Sequence, residues 1–118
     1  GIIFILFGVI LGAFGAHFLK DILHNQQLLS FQTGIRYQIY HGLAILIFAL
    51  NSKKFAKNIQ YSLLFFTLGT ILFSFSIYVI NLRDLTGFYH NYIPIITPVG
   101  GAILILAWIT TLLCLKKN

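Results

Sequence analysis

Acidic side chains are almost absent from this chain, whose 118 residues include two aspartates, Asp21 and Asp84, and no glutamate. This scarcity excludes acid and base catalysis by paired carboxylates, and it leaves no carboxylate deep in an apolar segment to couple transport to protons. Cysteine occurs once, as Cys114. One cysteine excludes an internal disulfide and is too few for a metal cluster.

Charged residues are also few, at 8%, whereas hydrophobic residues make up 58% and the mean hydropathy is +0.91. A soluble domain of this size needs more polar surface than that. Four apolar segments, at approximately 1–19, 31–50, 61–82 and 97–115, are long enough to cross a hydrocarbon core about 30 Å thick. Because only short loops remain, we predict a single all-α domain over residues 1–118, an up-down bundle of four transmembrane helices in the lipid bilayer.

We interpret the first segment as a span and not as a cleaved secretory signal, since no charged leader precedes it. Gly1 lies inside an apolar run and the chain contains no methionine, so we expect further residues before it. A stripe of small residues lies along this segment at spacings of four and three: Gly8, Gly12, Gly15 and Ala16. Such a stripe lets another helix approach closely, either within the bundle or in a homo-oligomer through its three glycines.

The loops carry an asymmetric charge. Lys53, Lys54 and Lys57 follow the second span, and Lys116 and Lys117 follow the fourth. Two crossings separate these places, so they lie on one side of the membrane, which the positive-inside rule makes cytoplasmic. We therefore predict that both termini are inside. The net charge of +6 lies largely in these short loops, which offer no extended face to nucleic acid.

The second span opens with the strongest polar signal in the sequence, residues 32–42. At about 100° per residue, five of these side chains share one arc of a helix. They are Thr33, Arg36, Tyr37, Tyr40 and His41. Because lipid offers no hydrogen-bond partners, we predict that this arc faces the other helices or a wet cavity. We also predict that Arg36 pairs with an aspartate or with a carbonyl at a helix end.

Other spans add polar groups that we expect near this arc, at the outer leaflet. The resulting candidate binding cluster is His17, Arg36, Tyr37, Tyr40, His41, Ser74 and Tyr78. Its members follow no metal-ligand or nucleophile-and-base pattern, so we assign no catalytic residue, metal or cofactor. In the fourth span, Thr97 is predicted as the N-cap and Pro98 as the first helical residue.

Four motifs, in this order, carry a resemblance to a known family. They are Gly12-Ala-Phe-Gly-Ala-His17, Thr33-Gly-Ile-Arg36-Tyr37-Gln38-Ile-Tyr40-His41-Gly-Leu-Ala44, Ser74-Phe-Ser-Ile-Tyr78 and Ile96-Thr97-Pro98-Val-Gly100-Gly101. Across nearly the whole chain, they resemble the uncharacterised small membrane proteins of the YgdD and YwdK type, related to transmembrane protein 256. The resemblance implies a four-span protein of the bacterial cytoplasmic membrane and no known activity. Where that family has a glycine between the two serines, this chain has Phe75.

These patterns constrain function less than architecture. We predict a small membrane protein that is not an enzyme and acts as an accessory or interaction subunit. One alternative is a transporter or channel component for a small polar or anionic solute, with His41 carrying the proton. Another is a protein that binds a quinone, haem or lipid head group. A haem held by two histidines is disfavoured, because His17 lies two residues from the outer end of the first span whereas His41 lies about 15 Å into the second.

Overall fold

The computed structural model describes residues 1–55 and 57–115, so Lys116 and Lys117, which contribute to the predicted orientation, lie outside the described residues. Within those ranges the regular structure is helical and contains no strand. The prediction of an all-α fold is confirmed. Four helices follow one another along the chain: α1 Ile2–His17, α2 Asn25–Leu50, α3 Gln60–Thr86 and α4 Ile93–Cys114.

Successive helices run in opposite directions. At one end of the molecule, the Gln27 amide at the start of α2 donates to Asp84 near the end of α3, at 3.1 Å. At the other end, the Cys114 thiol of α4 lies 3.7 Å from the Asn58 carbonyl oxygen, just before α3. The result is an elongated molecule of 51 × 28 × 18 Å. Two helices are individually long and apolar enough to cross a membrane, α3 with 27 residues and α4 with 22.

The core consists of two apolar clusters, one toward each end. The first cluster is Leu19, Leu23, Phe31, Ile35 and Tyr78. The second cluster is Ile45, Phe66, Leu104 and Ala107. The middle of α2, between Ile35 and Ile45, connects the two clusters and carries most of the polar side chains discussed below.

The small-residue stripe of α1 packs against α2. A Cβ at Gly8 would meet Ile39 Cγ1 at 2.5 Å, and a Cβ at Gly15 would meet the Phe31 ring at 3.4 Å. Gly12 lies between them on the same face. The interpretation of this stripe as an internal packing surface is confirmed for the three glycines, whereas Ala16 is exposed. Association of two copies of the chain through the same glycines stays a prediction.

The start of α4 differs from the prediction. The sequence predicts Thr97 as the N-cap, but the N-cap is Tyr92, so α4 begins five residues earlier than predicted, at Ile93, with Pro94 in its first turn. Pro94 supplies the preset backbone angle that the prediction attributed to Pro98, so the helix begins at the first of the two prolines. Pro98 lies inside the helix. Instead of capping, the Thr97 hydroxyl lies 2.7 Å from the Ser76 hydroxyl of α3.

A π-helical turn, Ile71–Phe75, interrupts α3, and the hydrophobic periodicity does not predict it. Here the α3 backbone lies directly against Gly100 of α4. A Cβ at Gly100 would lie 2.8 Å from Phe73 Cα and 2.9 Å from the Leu72 carbonyl carbon, so glycine is needed for this approach. Turns of this kind are frequent at functional sites, and this one positions Phe73 and Ser74.

The arc of α2 that is buried differs from the predicted arc. Gln38 and His41 are buried, whereas Arg36 and Tyr40 are exposed on the outer surface. Packing explains the difference, because α1 and α3 approach α2 where glycines such as Gly34 allow close contact. The remaining side of α2 is left uncovered. The prediction that the polar arc faces inward is therefore correct for His41 and wrong for Arg36. Tyr37 and Tyr40 are exposed but line an open groove between α2 and α4.

Candidate functional site

Gln38 joins three helices at the centre of the molecule. Its Nε2 donates to the Phe4 carbonyl oxygen of α1 at 2.8 Å, and its Oε1 accepts from the Tyr78 hydroxyl of α3 at 2.7 Å. Gln38 and Tyr78 are both buried. A buried polar group without a partner is costly, so these two bonds hold α1, α2 and α3 in one relative position.

Further hydrogen bonds join α2 to α3 on either side of this pair. Ser74 Oγ donates to the Gly34 carbonyl oxygen at 2.9 Å, and Asn81 Nδ2 donates to Ser30 Oγ at 2.9 Å. Within residues 1–55 and 57–115, every buried side-chain nitrogen and oxygen has a hydrogen-bond partner. The candidate binding residue Ser74 is therefore engaged within the protein, as Tyr78 is.

His41 is buried between α2 and α4 with both ring nitrogens engaged. Its Nδ1 lies 2.7 Å from the Tyr37 carbonyl oxygen, a pure acceptor, so Nδ1 carries the proton. Its Nε2 then accepts from the Trp108 indole N–H at 3.3 Å. In this arrangement the neutral imidazole offers no free lone pair to a haem iron or to a transported proton.

Beside His41, α2 and α4 form the walls of an open groove of about 700 Å³. The Tyr37 ring stacks on Phe73 from the π-helical turn, with 4.5 Å between ring centroids, and closes one side of the groove. Two small residues of α4, Gly101 and Ala102, widen the opposite wall. The side chains that give the groove its aromatic and apolar character are Tyr37, Tyr40, His41, Phe73, Leu104 and Trp108.

Arg36 is exposed on α2 and makes its hydrogen bond within the helix. Its Nη2 donates to Thr33 Oγ1 at 3.0 Å, and the Thr33 hydroxyl donates in turn to the Leu29 carbonyl oxygen at 3.0 Å. The guanidinium therefore points back along α2 toward the helix N-terminus. This direction is common for long cationic side chains, which extend toward the membrane surface while their stems stay in lipid.

The predicted ion pair between Arg36 and an aspartate is absent from the described residues. Asp84 instead accepts hydrogen bonds from Gln27 Nε2 at 3.1 Å and from the Tyr89 hydroxyl at 2.8 Å, and it lies 3.8 Å from Arg83 Nε. The bond to the carboxylate raises the pKa of the Tyr89 phenol. The pair does not form because the two side chains lie at different levels of α2. Gln27 marks the level of Asp84, and Arg36 follows Gln27 by nine residues, about 13 Å along the helix.

The structure divides the seven predicted site residues into separate groups. Three line the groove: Tyr37, Tyr40 and His41. Two residues of α3 form hydrogen bonds to the neighbouring face of α2: Ser74 and Tyr78. Arg36 lies on the outer surface, and His17 is exposed at the end of α1. No group of three His, Cys, Asp or Glu side chains in the described part of the chain is placed to hold a metal ion.

Three residues that build this region were not among the predicted site residues: Gln38, Phe73 and Trp108. Gln38 follows Tyr37 directly but lies about 60° outside the polar arc at 100° per residue, so helical periodicity predicts no role for it. Trp108 is the one tryptophan and lies within an apolar span, away from the membrane boundaries where tryptophan is enriched, which was a usable signal. Phe73 reaches the groove through the π-helical turn, for which the sequence holds no signal.

The chain matches a known protein family over most of its length. Residues 11–101 match the family described as Protein of unknown function (DUF423). The chain belongs to the DUF423 family. The matched range contains all seven predicted site residues and ends before Trp108.

Individual relatives agree with the DUF423 assignment. A UPF0382 membrane protein of Haemophilus influenzae is 36% identical over 104 residues, which cover 88% of this chain and 80% of the relative. The UPF0382 inner membrane protein YgdD of Escherichia coli is 38% identical over 101 residues, covering 85% and 73%. A UPF0382 membrane protein of Staphylococcus epidermidis is 34% identical over 108 residues, covering 90% and 83%. No solved structure matches this chain.

These matches confirm the resemblance to the YgdD type. They also confirm that this DUF423 member is a protein of the bacterial cytoplasmic membrane, in agreement with its apolar helices. The family description assigns no activity, so the function has to be argued from the site.

Proposed function

We propose that the protein crosses the cytoplasmic membrane four times and is a binding protein, not an enzyme, that takes an amphiphilic molecule of the quinone or lipid class into the groove between α2 and α4. The groove itself carries this proposal, because its volume of about 700 Å³ brings together the predicted binding residues Tyr37, Tyr40 and His41. Cavities of about 300–1,000 Å³ with a few polar groups hold small molecules. In a bilayer, an open side admits an apolar ligand directly from the acyl chains.

Three observations support four crossings with both ends in the cytoplasm. At 1.5 Å per residue, α2 and α3 are each about 40 Å long, more than a hydrocarbon core of about 30 Å requires. The buried polar groups of α2 are hydrogen-bonded to α1 and α3, which reduces the cost of placing that helix in lipid. Lys53, Lys54 and Lys57 lie together between α2 and α3, at the end that the positive-inside rule places in the cytoplasm.

Single-cysteine labelling tests this topology. In a Cys114→Ser background, we expect Asp21→Cys and His90→Cys to react with a membrane-impermeant maleimide in intact spheroplasts. We expect Lys53→Cys to react only after the membrane is permeabilised. The three positions lie in successive loops and alternate only if α2 and α3 both cross the membrane. Equal labelling of Asp21→Cys and Lys53→Cys would show that α2 does not cross the bilayer and would contradict the proposal.

Trp108 provides a fluorescent reporter for ligand binding, because it is the only tryptophan and it lines the groove. We expect a short-chain quinone, or a phospholipid brominated along its acyl chain, to quench Trp108 saturably in detergent micelles. Ala102→Phe places a ring in the groove and is expected to weaken the apparent affinity about tenfold or more.

The matched control is Ala13→Phe, which adds the same ring on the exposed side of α1, away from the groove. It is expected to leave the quenching curve unchanged. Quenching that never saturates and is equal in the parent chain, Ala102→Phe and Ala13→Phe would indicate ordinary contact with surrounding lipid. That outcome would reject the groove as a binding site.

A second candidate is the accessory subunit predicted from the sequence. The observation that favours it is the exposure of Arg36 on α2 and of Tyr40 in the open groove, the latter with 61% of its surface accessible. Polar side chains in this position can bond to a helix of a larger complex. Stoichiometric co-purification with such a complex, lost on Arg36→Ala and without saturable quenching of Trp108, would favour this function over ligand binding.

Transport has less support. Within the described residues, every buried polar side chain has a hydrogen-bond partner in the protein, in several cases a backbone carbonyl oxygen, and both ring nitrogens of His41 are occupied. The groove opens to the side of the molecule and is lined mainly by aromatic and apolar side chains. Such a lining suits a ligand from the bilayer better than a solute from water.

A further inference from the structure

We propose that the molecule held in the groove carries an anionic phosphate head, and that Arg36 and Thr33 bind this head at the outer-leaflet end of the groove. The inference rests on the proposed function of the groove and specifies which end of the ligand is recognised and by what chemistry.

The position of Thr33 places the Arg36 charge at the groove. Residues four apart lie on one face of an α-helix, so Thr33 lies one turn above Tyr37, which lines the groove. The Arg36 guanidinium bends toward Thr33 and donates to its hydroxyl at 3.0 Å. The charge is thereby held over the face that continues into the groove, although the Arg36 backbone lies to one side of it.

The guanidinium has unused bonding capacity. It carries five N–H donors in a planar fork, and one of its nitrogens has an acceptor among the described residues, namely Thr33. Asp84 is engaged with Gln27 and Tyr89 instead. A charge near the hydrocarbon is stable when an anion or water meets it, and the fork matches two phosphate oxygens. A phosphate group is the anion that the bilayer itself supplies.

The depth of the guanidinium suits a lipid head group. The polar layer formed by Ser30 and Asn81 lies at the outer end of the helices, and Thr33 follows Ser30 by three residues, about 5 Å deeper. From that level the α4 wall of the groove runs from Pro98 to Trp108, ten residues or about 15 Å. This equals half of a hydrocarbon core about 30 Å thick, so one head and one chain fit within a single leaflet.

The test compares two lipids that carry the same brominated chain, phosphatidylglycerol, which is anionic, and phosphatidylcholine, which has no net charge. Each is titrated into the purified full chain in detergent while Trp108 fluorescence is recorded. We expect phosphatidylglycerol to quench at about fivefold lower concentration, the effect of one cation at a membrane surface. Arg36→Gln is expected to remove this preference and to leave quenching by phosphatidylcholine intact, whereas Arg36→Lys keeps part of it.

Arg83→Gln is the matched control, because Arg83 is also exposed at the outer end of the helices but lies beside Asp84. It is expected to keep the full preference. Equal quenching by both lipids, still blocked by Ala102→Phe, would overturn the recognition of an anionic head by Arg36 and leave the groove function standing. Loss of saturable quenching with every lipid would reject both. Displacement of phosphatidylglycerol by inorganic phosphate would overturn the inference in favour of a free anion.

Discussion

Replacing Gly100 by alanine is expected to destabilise the protein by about 3 kcal/mol, the upper part of the range for overpacking a core. The added Cβ would lie 2.8 Å from Phe73 Cα and 2.9 Å from the Leu72 carbonyl carbon, and it would also crowd the Phe73 backbone nitrogen. A side chain could rotate away from this methyl group, but a backbone cannot. The π-helical turn and α4 would have to separate, and Phe73 would move out of the groove with them.

Gly101→Ala is the matched control on the neighbouring residue. Its Cβ would meet the Phe73 ring at 3.6 Å, an ordinary van der Waals distance, so we expect a change within about 0.5 kcal/mol. Both variants can be measured by reversible unfolding with sodium dodecyl sulfate in mixed micelles, followed by Trp108 fluorescence. Equal stability of Gly100→Ala and Gly101→Ala would contradict the close approach of α3 and α4.

The second large effect is expected at the hydrogen bond between Gln38 and Tyr78. Gln38→Leu leaves the Tyr78 hydroxyl without its acceptor and also removes the bond to the Phe4 carbonyl oxygen. Tyr78→Phe leaves Gln38 Oε1 unpaired in a buried position. We expect each variant to cost about 1–2 kcal/mol, since an unmatched buried polar group is costly even in a membrane.

A double-mutant cycle separates this bond from the effects of shape. The combined variant is expected to cost less than the sum of the single variants, with a coupling energy of about 0.6–1.7 kcal/mol. Gln32→Leu and Tyr61→Phe make the same chemical changes at exposed positions on the same two helices, and we expect little effect from either. Additive costs in the cycle would mean that the bond between the two side chains contributes nothing.

Several packing surfaces could be predicted from residue spacing. The sequence places four small or polar residues on one narrow face of the last helix, and the structure buries all of them: Gly100, Ala107, Thr111 and Cys114. The same holds for the face of α3 that carries Ser62, Gly69 and Ser76. Small residues among bulky ones mark where a neighbouring helix approaches, because only there can two backbones come close in lipid.

The same reasoning failed on α2, where small and polar residues occupy both sides of the helix. Arg36 and Tyr40 lie on one side of α2, and Gly34 and Gly42 lie on the other. The neighbouring helices pack against the side that carries the glycines. Hydrophobic periodicity assumes that polarity decides which side is covered. In α2 the close packing of neighbouring helices determines which side is covered. Gln38 forms the hydrogen bonds that join the covered side to α1 and α3.

Composition and periodicity alone establish that the chain is a helical membrane protein with a concentration of polar groups near residues 32–42, since hydrophobicity and helical spacing are properties of short stretches of sequence. The groove beside Trp108, the bond between Gln38 and Tyr78 and the direction of the Arg36 guanidinium come from the tertiary structure. In the groove His41 meets Trp108, 67 positions away, and the bond joins two residues that are 40 positions apart. The guanidinium takes its direction on a side of α2 that the other helices leave open. Such features depend on how closely separate helices approach, and one added methyl group can change that distance.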